Sequence, residues 1–147
     1  MGAVTPYLCC DGAADAIEFY KRAFGAEELY RLDGPGDMVG HAEISIGDSR
    51  LMLSDEWPEG GILGPTKRGG ATTAFSIEVD DVDALDAAWA RAIGAGATEE
   101  EPLTDKFYGY RSGTMIDPFG HRWTIATVVE EVSPEEMQRR MEAEFGT

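Results

Sequence analysis

The spacing of apolar positions along this chain changes in a fixed order, and that order occurs twice. Thr5 to Cys10 is a short apolar run that reads as a strand, and Asp11 is placed to cap a following helix. Ala13, Ile17, Tyr20 and Phe24 then recur at helical spacing, with Gly25 as the stop. Glu28 to Leu32 reads as a weak strand, and DGPGD (Asp33 to Asp37) as a turn. In GHAEISIGDSRLMLSDE the period becomes two. Ala42, Ile44 and Ile46 share one face and His41, Glu43 and Ser45 the other; GDS turns the chain, and Leu51 and Leu53 continue the apolar face. EWPEGGILGPTKRGGA is rich in Gly and Pro and reads as a long loop.

Beyond that loop the pattern restarts. Phe75, Ile77 and Val79 alternate with Ala74, Ser76 and Glu78. Val82, Leu85, Trp89 and Ile93 follow at helical spacing, and Gly94 is the predicted stop. ATEEEPL reads as a poor edge strand and TDKFYGYRSG as a loop; Arg111 to Ile116 and His121 to Val128 read as strands joined by the turn DPFGHRW. The order β-α-β-β-β therefore occurs twice, and an offset of 69 residues lays Phe24 on Ile93, Thr5 on Ala74 and Asp11 on Asp80. The expected organisation is one domain over residues 1–147: module one at about 4–56, a linker at about 57–71, module two at about 72–129 and a C-terminal helix at about 133–145. Ser133, Pro134 and Glu136 form the start signal of that helix. Its Met137, Met141 and Phe145 face packs either on its own domain or across a dimer, and a homodimer is expected, because this face and the edge strands need cover.

Composition narrows the function classes. A net charge of −16 opposes binding to nucleic acid or to an anionic membrane surface. No apolar run approaches the roughly 20 residues that span a bilayer, and MGAVTPYLCC reads as neither a signal peptide nor a myristoylation site. Cys9 and Cys10 are adjacent and would point to opposite faces of a strand, so no disulfide framework is expected and a cytoplasmic location is.

Four stretches, AIEFYKRAFGAEE, GHAEISIGDSRLMLSDE, FSIEVDDVDAL and YGYRSGTMIDPFGHRW, together resemble the glyoxalase / bleomycin resistance / extradiol dioxygenase superfamily (vicinal oxygen chelate proteins), with the PhnB-like branch nearest in flavour. The resemblance runs from about Val4 to Val128. It implies an α+β fold of two βαβββ modules whose sheets curl around a shared cavity, with helices outside. It also implies that the Asp117-Pro118 turn is the hairpin before the last strand, with Asp117 bonding turn amides and Gly120 free to take a positive φ.

Metal-using members of that superfamily carry His, Gln or Glu near the cavity end of the first and last strands of each module. Here those positions fall at Thr5, Met52, Ala74 and Thr124, which make no site for a hard or borderline divalent ion. A two-residue shift brings in Tyr7, Ser54 or Ser76, no better as donors. Neither metal nor cofactor is expected. His41 and Glu43 share a strand face and are the best catalytic candidates, as an acid/base pair or chelate; the alternative is a polar pair that orients a ligand. Glu78 is the best third donor. His121 reads as a strand-opening residue at the rim, exposed to water, and Cys9 as packing.

By alternation the cavity lining comprises Thr5, Tyr7, Cys9, His41, Glu43, Met52, Ser54, Ala74, Ser76, Glu78, Arg111 and Thr124. Trp57, Phe107, Tyr108 and Tyr110 are placed to form a lid. Within this set Tyr7, His41, Glu43, Met52, Trp57, Glu78, Tyr108 and Arg111 are the predicted ligand contacts. Glu43 and Glu78 against Arg111 tilt the local charge acidic, and the aromatics offer π faces, so a neutral or cationic, partly aromatic small molecule is the expected ligand. Three readings follow: a metal-free small-molecule binder, a lyase-, isomerase- or dioxygenase-type enzyme using His41 and Glu43, or an interaction domain with a filled cavity.

Overall fold

The computed structural model describes residues 1–146 and resolves the repeat into two four-stranded mixed sheets. In the first, β1 (Tyr7–Cys10), β2 (Glu27–Asp33), β3 (Val39–Ile46) and β4 (Ser49–Asp55) stand in the order β1-β4-β3-β2, with β1 parallel to β4 and the rest antiparallel. In the second, β5 (Ala74–Glu78), β6 (Thr98–Asp105), β7 (Tyr110–Ile116) and β8 (Arg122–Val128) repeat that layout as β5-β8-β7-β6. Helices α1 (Ala13–Phe24) and α2 (Val82–Ala95) make the β1–β2 and β5–β6 crossovers, and α3 (Pro134–Phe145) closes the chain.

The helical stripe read from the sequence is the buried one. Ala13, Ile17 and Tyr20 of α1 are fully buried against Leu8, Cys10, Ile44 and Leu53 from its sheet. On α2, Leu85 is fully buried, and Trp89 lies over Gly113, where a Cβ would meet its ring at 2.7 Å. That position takes no side chain because the helix and sheet backbones approach so closely there. The two helices pack on each other, so both modules share one core around Tyr20, Phe24, Phe75 and Trp123, with ring centroids 4.6 to 5.4 Å apart for Phe24–Trp123, Phe75–Trp123 and Tyr20–Trp123.

Several local expectations change. The first strand begins at Tyr7, and Thr5 lies before it. Asp11 does not cap α1: the N-cap is Gly12, and the carboxylate comes from the end of β4. Asp55 Oδ1 accepts from the Gly12 and Ala13 amides at 3.0 and 2.9 Å, and its Oδ2 accepts from Val39 N at 2.7 Å. One buried-edge carboxylate thus joins helix, β3 and β4, a stronger arrangement than a local cap because it meets three orphan donors. Gly94 does not end α2, which runs on to Ala95 with Gly96 as its C-cap. The linker holds two short 3₁₀ turns, Pro58–Gly60 and Thr66–Arg68, tied by Glu56, which accepts from Gly64 N and pairs with Lys67.

The C-terminal helix starts as the capping pattern implies, with Ser133 Oγ accepting from Glu136 N at 3.2 Å. Arg140 ties it to its own domain through Glu130 and the Phe107 carbonyl, and Phe145 meets Phe107 edge-on. Met141 and Phe145 nevertheless stay exposed.

Candidate functional site

Alternation along the strands divides each sheet into a helix-facing side and an open side. Ala42, Ile44 and Leu53 lie against α1, so His41, Glu43 and Met52 take the open face together with Tyr7 from β1. In the β2–β3 ladder Leu32 stands opposite His41 and Tyr30 opposite Glu43, which adds Tyr30 and Leu32 to the same face. His41 is the centre of this group. The Tyr7 hydroxyl lies 2.6 Å from its Nδ1 and the Tyr30 hydroxyl 3.1 Å from its Nε2, with the rings tilted against it at 5.3 and 5.7 Å. Glu43 is buried and receives a hydrogen bond from Arg50 at 3.1 Å. Burial first, and then the neighbouring Glu43 carboxylate, push the Tyr30 phenol above its ordinary pKa. Tyr30 and Arg50 were not among the residues singled out from the sequence. Tyr30 sits in a strand with little alternation, and its pairing partner fixes its face.

The second module supplies a separate cluster. Ala74, Ser76 and Glu78 are exposed on its open side, and Thr114 and Thr124 hydroxyls meet there at 3.3 Å. Tyr110 reaches Glu78 at 3.5 Å and lies beside Tyr108, ring centroids 5.8 Å apart. Among the described residues Glu78 has no ion-pair partner. Arg111 does not join this face. It stands opposite Thr127, which is buried on the helix side with Trp123 and Ile125, and it pairs with Asp105 at 3.1 Å. The strand begins at Tyr110, so the open-side positions are Tyr110, Ser112 and Thr114. The basic side chain that the ladder places on the open side is Arg122, next to Thr124 in β8 and opposite Ala74, and its guanidinium pairs with Glu100. Trp57 is exposed on the linker, 59% accessible, and among the described residues no aromatic contact joins it to Tyr108 or Tyr110.

Between the segment before β1, the turn from β3 into β4, and β5 lies an open cleft of about 1230 Å³, lined by Thr5, Arg50, Ala74, Ser76 and Glu78 among others. A second cleft, about 670 Å³, is lined by Tyr7, Cys9, Phe75 and His121. Tyr7 thus links the His41 group to the second cleft, whereas His41, Glu43, Met52, Trp57, Tyr108 and Arg111, expected along the cavity, line neither cleft. His121 is not a free rim residue. It is half-buried, and its Nε2 lies 2.9 Å from the Cys9 carbonyl, a bond that crosses from module two to module one. Burial first, then Glu56, push the Cys9 thiol up to about 11, and the buried Cys10 thiol is also raised, first by burial and then by Asp117.

Asp117 has a structural role. Its Oδ1 accepts from the Phe119 and His121 amides, and its Oδ2 accepts from the Tyr20 hydroxyl at 2.6 Å and Trp123 Nε1 at 2.9 Å. The turn therefore ties the two modules together through their shared core.

Of the four positions the resemblance names for a metal, Met52 stands opposite Tyr7 rather than Thr5, and Thr124 opposite Ser76 rather than Ala74. A phenol, a thioether and two hydroxyls do not fit a hard or borderline divalent ion, which takes imidazole, carboxylate or thiolate donors. Among the described residues no three His, Cys, Asp or Glu side chains gather as a metal site. No described helix is long and apolar enough to cross a membrane.

Comparison with known proteins agrees with this geometry. The family model described as Glyoxalase/Bleomycin resistance protein/Dioxygenase superfamily matches residues 3–125. An uncharacterised protein of Mycobacterium tuberculosis is 40% identical over 145 residues, 97% of this chain and 84% of that protein. Among solved structures, a Pseudomonas aeruginosa protein superposes with a TM-score of 0.71 at 24% identity, covering 87% of this chain and 98% of its own. A Bacillus cereus structure described as a putative 3-demethylubiquinone-9 3-methyltransferase, PhnB protein, gives a TM-score of 0.66 at 18% identity, covering 86% of this chain and 100% of its own. At these identities the two structures speak for the fold alone.

Proposed function

Because the chain belongs to the glyoxalase/bleomycin resistance protein/dioxygenase superfamily, we propose that it is a metal-free binder of a small, partly aromatic, neutral or cationic molecule, of the PhnB-like branch, working as a cytoplasmic homodimer. The observation that carries the reading is the open face itself. Tyr7, His41 and Tyr30 form a continuous row of rings on it, both tyrosines are exposed, and Tyr7 at the end of the row lines the second cleft. Such a row offers stacking surface, and a cation over a phenol face gains roughly 0.5–2 kcal/mol. The charge preference rests on Glu78: Glu43 is offset by Arg50 and Arg122 by Glu100, whereas Glu78 is unpaired among the described residues. The PhnB-like assignment rests on AIEFYKRAFGAEE and DPFGHRW, and the dimer on the exposed Met141 and Phe145 face of α3.

A thermal-shift panel of cationic aromatic compounds against matched anionic ones tests the reading. Cationic compounds raise the melting temperature more, and Tyr7→Ala removes much of the gain. Stronger stabilisation by carboxylates or phosphates would reverse the charge argument. Light scattering at micromolar concentration tests the dimer, which a monomer mass would refute.

A second reading, an enzyme with His41 and Glu43 as acid/base groups, is favoured by the phenol held at each His41 ring nitrogen. Loss of turnover in His41→Gln at unchanged ligand affinity would single it out.

A further inference from the structure

The two clefts share a wall, since Val4, Pro6 and Phe75 line both. Tyr7, at the end of the ring row, lies in the second cleft, and Glu78, on which the charge preference rests, lies in the first. A molecule that uses both groups therefore crosses that wall. The way across is apolar. Phe24, Ile46, Phe75 and Ile77 are half-buried where the shared core opens onto the first cleft, and the Trp123 ring lies behind them, its centroid 4.6 Å from that of Phe24 and 5.1 Å from that of Phe75. A hydrocarbon body laid there removes apolar surface from water. Charge separates the two ends. Asp48, in the turn from β3 into β4, and Glu78, at the end of β5, line the first cleft from different modules, and among the described residues neither has an ion-pair partner. The Tyr110 hydroxyl donates to Glu78 only at 3.5 Å, so most acceptor positions of that carboxylate stay free. Arg50, the one basic side chain among the described lining residues, already donates to Glu43 at 3.1 Å. The second cleft is lined by Arg68 and by no carboxylate among the described residues. A ligand's cationic end is therefore favoured in the first cleft and its ring in the second.

We infer that the ligand is elongated: an arylalkylammonium whose ring lies against Tyr7 and whose chain crosses Pro6 and Phe75 to place its nitrogen at Glu78. This deepens the small-molecule reading above and rests on it. Phe75 and Glu78 are three residues apart on β5, about 10 Å at 3.3 Å per residue. A compact cation cannot cover that length and meets one end only.

Two measurements on the full-length protein test this. Calorimetric titration with 6-phenylhexylammonium and benzylammonium reads the span in Tyr7→Ala and Glu78→Gln. Both side chains are exposed, so both variants fold. The long compound loses about fivefold in Tyr7→Ala, the size of one aromatic contact. It loses about fivefold in Glu78→Gln as well, the size of one exposed ion pair. Benzylammonium responds to only one of the two substitutions, and 6-phenylhexanoate loses nothing in Glu78→Gln. Isoleucine-methyl spectra read the path: Ile46 and Ile77, which line the first cleft, shift when 6-phenylhexylammonium is added. Benzylammonium weakened by both substitutions would make Tyr7 and Glu78 one compact site and overturn the inference. A long compound sensitive to only one of them, or unmoved Ile46 and Ile77 methyls, overturns it too. Each of those results leaves the small-molecule reading standing. If neither ammonium binds, both fall together.

Discussion

Asp117→Ala is a direct test of the view that the DPFGHRW turn braces the two modules. Asp117 is 4% exposed and accepts four hydrogen bonds. Two of the donors, Phe119 N and His121 N, are at a turn and can be met by water after the substitution. The other two, Tyr20 Oη and Trp123 Nε1, belong to side chains at the bottom of the core, 0% and 2% exposed. Each buried donor left without a partner costs about 1–3 kcal/mol, so the pair costs about 4 kcal/mol, in the range reserved for broken buried networks. At roughly 2–4 °C per kcal/mol for a chain of this size, the melting temperature falls by about 8–16 °C. Urea unfolding followed by far-ultraviolet circular dichroism gives the free energy from the midpoint at unchanged slope. Tyr20→Phe completes a cycle. Alone it costs about 2 kcal/mol, a bond to a charged acceptor. In the Asp117→Ala background it restores about 2 kcal/mol, because it removes the orphaned hydroxyl. The coupling is therefore about 4 kcal/mol in magnitude. An Asp117→Ala cost below about 1 kcal/mol, or an additive cycle, would refute the assignment and return the turn to a simple chain reversal.

Other outcomes follow from the same geometry. Asp55→Ala removes the acceptor for Gly12, Ala13 and Val39 amides, and it should cost about 2 kcal/mol in urea unfolding, the upper end for a helix cap; Asp11→Ala should cost almost nothing. Both thiols should react slowly with iodoacetamide at pH 7, and Cys9, raised to about 11, should gain reactivity only in strongly alkaline solution; rapid labelling of Cys9 at pH 7 would contradict the burial argument. Glu28 is held below its usual pKa, chiefly by its hydrogen bond from Arg31. A depressed carboxyl stabilises the fold above its unfolded pKa and loses that contribution as pH falls through the folded one. Arg31→Ala should therefore flatten the acid limb of the stability profile below about pH 4.3, the unperturbed Glu value, with little change in its alkaline limb.

Much of the architecture is legible in the sequence, because it rests on local periods. Helical spacing in Ala13, Ile17 and Tyr20, alternation in Ala42 and Ile44, and the 69-residue repeat define the elements and their doubling. Their burial then follows, since a stripe of that kind has only one stable place to go. The site was legible only in part. His41 and Glu43 share a face by alternation alone, but Tyr30 joins them through the register of the β2–β3 ladder. Arg111 was assigned to the open face and lies on the other side, because the strand alternates from Tyr110 and one position reverses every side chain. Asp55 capping a helix that begins 42 residues earlier, Tyr20 bonded to Asp117 97 residues on, and His121 on the Cys9 carbonyl 112 residues away leave no trace in spacing. Periodicity records which side of an element is apolar, a property of neighbouring residues. Which polar group meets which is decided by where the elements pack, and that information exists only once the chain has folded.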